Sequence, residues 1–256
     1  MKSNNLQAIY IMWLREMKRF LRSKSRVIGS LMVPFSFLLF MGFGFKSGFN
    51  LPGMPQETNY LDFLVPGIIG MTMLFTSTFA GISVLWDREF GFLKEIMVAP
   101  VRRSAVVLGR IAGGVTTALI QGILILIISL FMGFQVVNPF GLVLAFLFMF
   151  LISVGFIGFG VAIASKMKDI HGFSLIMQFI IFPIFILSGA FFPITNLPGW
   201  LRLLSYIDPL TYGVDGLRAS LINFSQFPIS LDLILLFIFG FLMVILGTYL
   251  FAKMEA

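Results

Sequence analysis

The sequence predicts an all-α membrane protein: six transmembrane helices, an N-terminal amphipathic interfacial helix, a short cytoplasmic helix after the second span, and short re-entrant outer helices between spans five and six. Three observations carry that prediction. Hydrophobic residues make up 59% of the 256-residue chain and charged residues 11%, with a mean hydropathy of +1.01; such a chain has too little polar surface for water and takes lipid as its solvent. Six apolar stretches are each long enough to cross a bilayer. The cations gather on one side of the membrane.

A spanning helix needs about 20 apolar residues, each rising about 1.5 Å through a hydrocarbon core of about 30 Å. The qualifying stretches run from Val27 to Phe45, Val65 to Leu85, Ala105 to Met132, Phe140 to Ala164, Phe173 to Phe192 and Ile229 to Phe251. The first begins near Val27 with no small-residue cleavage pattern behind it, so it reads as a mature helix and not a signal peptide. An even number of spans puts both termini on one side. Lys2, Arg15, Lys18, Arg19, Arg22, Lys24 and Arg26 precede the first span; Arg88, Lys94, Arg102, Arg103 and Arg110 fall between or just inside the second and third; Lys166, Lys168 and Lys253 follow the fourth and sixth. Only Lys46, Arg202 and Arg218 lie opposite. The positive-inside rule therefore makes both termini cytoplasmic. A five-span alternative would discard the last stretch, although Leu231 to Phe251 carries one acidic residue, near its start.

Residues 1–26 form the interfacial segment and 27–256 the six-span domain. Leu6, Ile9, Tyr10, Trp13, Leu14, Met17, Phe20 and Leu21 recur at helical spacing as one apolar stripe, with Arg15, Lys18, Arg19 and Arg22 on the other side. A basic amphipathic helix directly before a span is expected to lie in the headgroup layer, its aromatic rings anchored and its cations near anionic lipid.

What the chain lacks excludes several function classes. It has no cysteine, hence no disulfide, thiolate metal site or cysteine nucleophile. The apolar cores of the spans hold no Asp, Glu, Lys, Arg or His, only Gln121 and Gln178 among the stronger polar side chains, which disfavours ion-coupled transport and proton pumping. The phosphate-cradling motif G-x-x-x-x-G-K-[ST] is missing, so any ATP-driven work takes its energy from another subunit. The net charge of +7 belongs to retained loops and does not point to nucleic acid. A membrane-bound lipid-modifying enzyme would want clustered His, Asp or Glu; the single histidine, His171, stands alone in a short loop. A membrane scaffold without transport stays open.

Small and kinking residues punctuate the spans. Gly109 and Gly113 form a G-x-x-x-G pair, and Gly155, Gly158 and Gly160 crowd the end of the fourth span, both read as close-packing sites. Pro34 and Pro183 fall inside spans one and five, where a missing backbone donor permits a kink.

Two loops stand out. The segment from Trp86 to Ser104 reads as one short helix ending at Pro100, with Phe90, Leu93 and Met97 on a shared face and Asp87, Arg88, Glu89, Lys94 and Glu95 around them: an apolar knob ringed by charge, suited to a partner's groove. The outer loop from Pro193 to Pro228 is unusually apolar and breaks into two short helices at Pro209. They are expected to dip into the outer leaflet, with Asp215 and Arg218 paired at i, i+3, as a cap or a gate.

Three stretches together resemble the integral-membrane subunits of type-2 ABC exporters, especially the daunorubicin and multidrug-resistance-like branch. They are Leu64-Val65-Pro66-Gly67, Asp87-Arg88-Glu89-Phe90-Gly91 through Pro100-Val101-Arg102-Arg103, and Asp208-Pro209-Leu210-Thr211-Tyr212 through Gly216-Leu217-Arg218. The resemblance covers nearly the whole chain. It implies a homodimeric permease in the membrane lipid, bound beneath by two ABC ATPase subunits that hold ATP and Mg, with no cofactor in this chain. The coupling residues would be Asp87, Arg88, Glu89, Phe90, Gly91, Leu93, Lys94, Glu95 and Pro100. It also implies a path at the dimer interface along spans one, two and five, where this sequence offers Phe35, Phe37, Met71, Met73, Phe75, Gln178, Phe179 and Phe182. The outer gate would comprise Asp208, Pro209, Tyr212, Asp215 and Arg218. Met and Phe give an adaptable apolar lining suited to amphipathic drugs or lipids; polysaccharide, glycolipid or ion export is the alternative cargo.

Overall fold

The computed structural model describes residues 5–44, 59–98 and 100–254, leaving aside the side chains of residues 26, 94, 96 and 97. Among these residues the chain is almost wholly helical, with no strand, and offers six candidate spans. Helix α1 (Asn5–Arg22) precedes α2 (Lys24–Gly44), the first span. The second is α3 (Tyr60–Ala80) continued by α4 (Ile82–Glu89), followed by a separate stub, α5 (Phe92–Val98). Next come α6 (Arg103–Phe131), α7 (Gly141–Ala164) and α8 (Ile170–Leu187), then the short α9 (Gly199–Ile207) and α10 (Pro209–Ile222), and finally α11 (Ile229–Ala252).

Helix ends follow local chemistry. Asp169 starts α8 by accepting from the backbone N–H groups of His171 and Gly172, so the fifth span begins at Ile170 instead of Phe173. It ends at Leu187 and not Phe192, because the chain turns through Gly189 at φ +74°. Asp208 caps α10 by accepting from Leu210 N at 2.9 Å, with Pro209 at the first helical position, where its missing N–H costs nothing. Asn223, in the left-handed region at φ 54°, closes that helix. The expected single helix from Trp86 to Pro100 is in fact two: Gly91 takes φ +74°, a conformation open to glycine and costly to other residues, and splits α4 from α5.

Both ends of the described chain meet at one end of the bundle. Asn5 Oδ1 accepts from Arg102 N at 3.3 Å, and the Arg103 guanidinium donates to the Ala252 carbonyl. This is the terminal end; α9 and α10 close the far end.

Helix α7 is the hub, packed against α3, α6, α10 and α11. Its glycines permit backbone contact: a Cβ on Gly158 would stand 2.8 Å from the Met243 carbonyl carbon of α11, and one on Gly160 would collide with the Thr78 carbonyl of α3. The Gly109–Gly113 pair serves a different partner. A Cβ on Gly109 would lie 2.7 Å from the Ile9 carbonyl oxygen, and one on Gly113 2.6 Å from Glu16 Cβ. The pair therefore seats α1 on α6, a contact strengthened by Trp13 Nε1 donating to Thr116 Oγ1 at 3.1 Å. Two expectations are corrected here. Arg15 and Arg19 of α1 turn into the protein instead of toward lipid, while Lys18 and Arg22 stay exposed. The second outer helix, α10, is buried along most of its length among α3, α7 and α11.

Candidate functional site

A buried carboxylate organises the terminal end. Asp87, 2% exposed, sits on the last turns of α4, where the second span continues past the length that hydropathy assigns it. Arg15 donates one guanidinium nitrogen to each of its oxygens, at 3.1 Å to Oδ2 and in an ion pair with Oδ1; Arg19 Nη2 reaches Oδ1 at 3.4 Å, and Arg110 Nη2 pairs with Oδ2. Arg110 Nη1 donates to Ser83 Oγ at 3.2 Å. Aromatic rings flank the cations: the Arg15 guanidinium carbon is 4.1 Å from the Phe92 centroid, that of Arg19 5.6 Å from Trp86 and that of Arg110 5.7 Å from Phe251. One charge network thus ties α1, α4, α5, α6 and α11 together. Breaking such a buried network from one side costs about 3–5 kcal/mol.

Above the network lies a cavity of about 520 Å³, within the roughly 300–1,000 Å³ of small-molecule sites. Its terminal end is charged, with Glu16, Arg19 and Arg110; its middle is mainly apolar, with Met71, Phe75 and Phe79, and Thr76, Gln121 and Gln178 add neutral polar points to the wall. Thr76 Oγ1 donates to Gln121 Oε1 and fixes that amide. Helices α2 and α8 both pack on α3, and the lining residues Val33 and Gln178 are exposed, so the cavity opens between them. Buried Pro34 of α2 also lines it.

Of the residues named for a path, Met71, Phe75 and Gln178 line this cavity. The others do not. Met73 is wholly buried and accepts from Ser153 Oγ at 3.4 Å; Phe37 packs on the Phe185 and Phe191 rings at 6.4 and 5.2 Å between centroids; Phe35 is half-buried. Phe179 and Phe182 project outward from α8, 81% and 54% exposed.

The residues named for coupling divide likewise. Glu89, Phe90, Glu95 and Pro100 face outward, Phe90 at 81% exposure. Arg88 donates to the Met167 carbonyl at 3.3 Å, joining α4 to the turn before α8. Asp87 is consumed by its three arginines, and Leu93 is 1% exposed; neither is free to touch a partner, and Leu93 does not share a face with Phe90. The side chains of Lys94 and Met97 lie outside the described residues, as does Lys46.

At the far end Asp215 and Arg218 are not ion-paired. Arg218 donates from Nε to the Phe63 carbonyl at 3.2 Å and from Nη2 to the Gly189 and Ala190 carbonyls at 2.8 and 2.9 Å, its guanidinium 3.6 Å from the Phe63 centroid. Asp215 accepts from Gln226 N at 2.9 Å and Phe227 N at 2.9 Å, and Tyr212 donates to the Tyr206 carbonyl at 2.6 Å. Arg218 and Asp215 strap the neighbouring loops to α10, and Tyr212 straps α9 to it. Burial pushes the Asp208 carboxyl up to about 8 and raises Asp215; it lowers the Arg218 guanidinium to about 9 against the opposing charge of Asp215.

Sequence reasoning missed Arg15, Arg19 and Arg110 as partners of Asp87, and Asp232, which is wholly buried. Arg110 did carry a signal: a cation inside the third span demands a counter-charge.

Comparison with known proteins places this geometry. The model of the family described as ABC-2 type transporter matches residues 7–222. The chain is 28% identical to the transport permease ycf38 of Cyanophora paradoxa over 97% of this chain and 89% of that one. It is 29% identical to the inner membrane transport permease YadH of Escherichia coli K12, over 93% and 92% respectively. Identity to YbhR of the same bacterium, named as a multidrug ABC transporter permease, is 27% over 61% of this chain and 43% of that one.

Proposed function

The chain belongs to the ABC-2 type transporter family, and from that premise we propose that it is the permease subunit of an ATP-driven exporter for amphipathic, drug-like or lipid-like molecules. The observation that carries the proposal is the cavity: charged at the terminal end, apolar in the middle, open between α2 and α8, it suits a molecule with one polar end better than a sugar polymer or a bare ion. The multidrug name of YbhR points the same way. Both termini are cytoplasmic on this reading, following the cation bias.

Force enters from a separate ABC ATPase, present in two copies beneath a homodimer of this chain, and ATP and Mg belong to that partner. The docking element is the α4–α5 elbow. Exposed Phe90 supplies the apolar knob, Glu89 and Glu95 supply charge around it, and Arg88 relays displacement to the start of the fifth span through the Met167 carbonyl. Asp87 acts behind the surface by locking the elbow to α1 and α6.

Co-purification of the chain with its ATPase, scored by pull-down and by ATP hydrolysis of the reconstituted pair, tests the assignment. Glu89→Lys and Phe90→Ala are expected to weaken association at least tenfold while leaving the permease folded. Wild-type pull-down and hydrolysis in both variants would remove the elbow from the mechanism.

A further inference from the structure

We propose that the terminal end of the cavity is an anion site, which seats the phosphate or carboxylate headgroup of an amphiphile while the apolar tail lies along Met71, Phe75 and Phe79. This names the cargo class of the permease reading and rests on it for transport, but the site itself is a statement about binding.

The argument is one of charge balance in a confined place. Three guanidiniums, of Arg15, Arg19 and Arg110, converge on the single Asp87 carboxylate. Glu16, the one other acid in the cluster among the described residues, stands 3.6 Å from Arg19. The group therefore carries one positive charge beyond its internal partners. Two of its cations, Arg19 and Arg110, form the cavity wall. Arg110 is 3% exposed and its Nε–H, also buried, has no acceptor among the described residues. A buried guanidinium donor without an acceptor is costly, and an excess charge away from water is costlier. An anion at the wall formed by Arg19 and Arg110 neutralises that surplus.

A cationic amphiphile has no corresponding place. Asp87 is saturated by its arginines, and Glu16 already faces Arg19, so a second cation would add to an unbalanced positive end. Beyond the charged end the wall is uncharged: Val33, Met71, Phe75 and Phe79 offer hydrocarbon, sulfur and ring surface, with the neutral polar groups of Thr72, Thr76, Gln121 and Gln178 among them. A free inorganic anion would leave that surface uncovered. The combination of one anionic head and one apolar tail fits both halves.

Binding separates this from the transport reading. The full-length chain is reconstituted in nanodiscs of neutral phosphatidylcholine, and radiolabelled tetradecyl phosphate, tetradecanol and tetradecyltrimethylammonium are titrated, with empty discs subtracted. Tetradecyl phosphate is expected to bind at least tenfold more tightly than either of the others. Arg19→Gln should erase that preference and leave tetradecanol unchanged, and Glu16→Gln, which removes the competing acid without deleting a donor, should strengthen it severalfold. Equal binding of the three amphiphiles, preference for the ammonium, or an unchanged preference in both variants would overturn the site. So would inorganic phosphate displacing tetradecyl phosphate at matched concentration, since the tail would then contribute nothing. Absence of the anion preference in the unmutated chain with intact ATPase pull-down refutes the site alone; loss of pull-down dependence on Glu89 and Phe90 refutes the coupling reading alone.

Discussion

Arg110 of α6 and Asp87 of α4 form an ion pair sealed inside the bundle, their side chains 2% and 3% exposed. Both lie within candidate spans, where a lone charge is costly and a pair is tolerated only when its remaining polar atoms find partners. Arg15, reaching in from α1, donates to both oxygens of the Asp87 carboxylate. The amphipathic helix is therefore part of the folded bundle and not simply an attachment to lipid.

Asp87→Ala should leave three guanidiniums facing one another without a counter-charge. A loss of roughly 3–5 kcal/mol is expected, read as a lower unfolding temperature in detergent and as release of α1, visible as faster proteolysis near Leu21. Glu89→Gln, two residues on and exposed, should leave both readouts unchanged.

Gly91→Ala tests the elbow. The φ of +74° costs an L-residue about 1–2 kcal/mol, a modest loss for global stability but one confined to the hinge between α4 and α5. Thermal stability should fall only slightly, while association with the ATPase, measured by pull-down, should fall much more.

Arg218→Lys should loosen the far end. A lysine carries the charge but not the fork that reaches the Phe63, Gly189 and Ala190 carbonyls at once. A cost on the order of 3 kcal/mol is expected, with increased amide hydrogen exchange in the turn after α8 as the local signature.

Stability should also depend on pH through Asp208. Its folded-state value of about 8 stands above the ordinary 3.8, so the folded chain holds a proton that the unfolded chain releases earlier. That contribution is complete below about pH 4 and is lost as pH rises through about 8. The unfolding temperature should decline between about pH 4 and pH 8 and level off above that, and Asp208→Asn, which can still cap α10 through its side-chain oxygen, should flatten the decline. An unaltered profile in the variant would locate the titration elsewhere.

Much of the architecture was legible because lipid imposes a length and an apolar composition on each span, and both can be read along the chain. The six spans, the amphipathic helix and the break at Pro209 are local features of this kind. Partners were not legible in the same way. The Gly109–Gly113 spacing announces a close approach without saying that α1 makes it, and Asp87 among charged neighbours reads as a surface residue.

The sequence by itself determined an all-helical membrane protein of six spans, because hydrophobic length and helical periodicity are properties of consecutive residues. Tertiary structure alone decided that Asp87 and Leu93 turn inward while Phe90 stays outside, that Arg218 binds carbonyls instead of Asp215, and that Met71, Phe75 and Gln178 share one cavity with Arg110. Those outcomes depend on groups far apart in the chain, brought together only when buried charges and backbone donors must find partners in a medium without water.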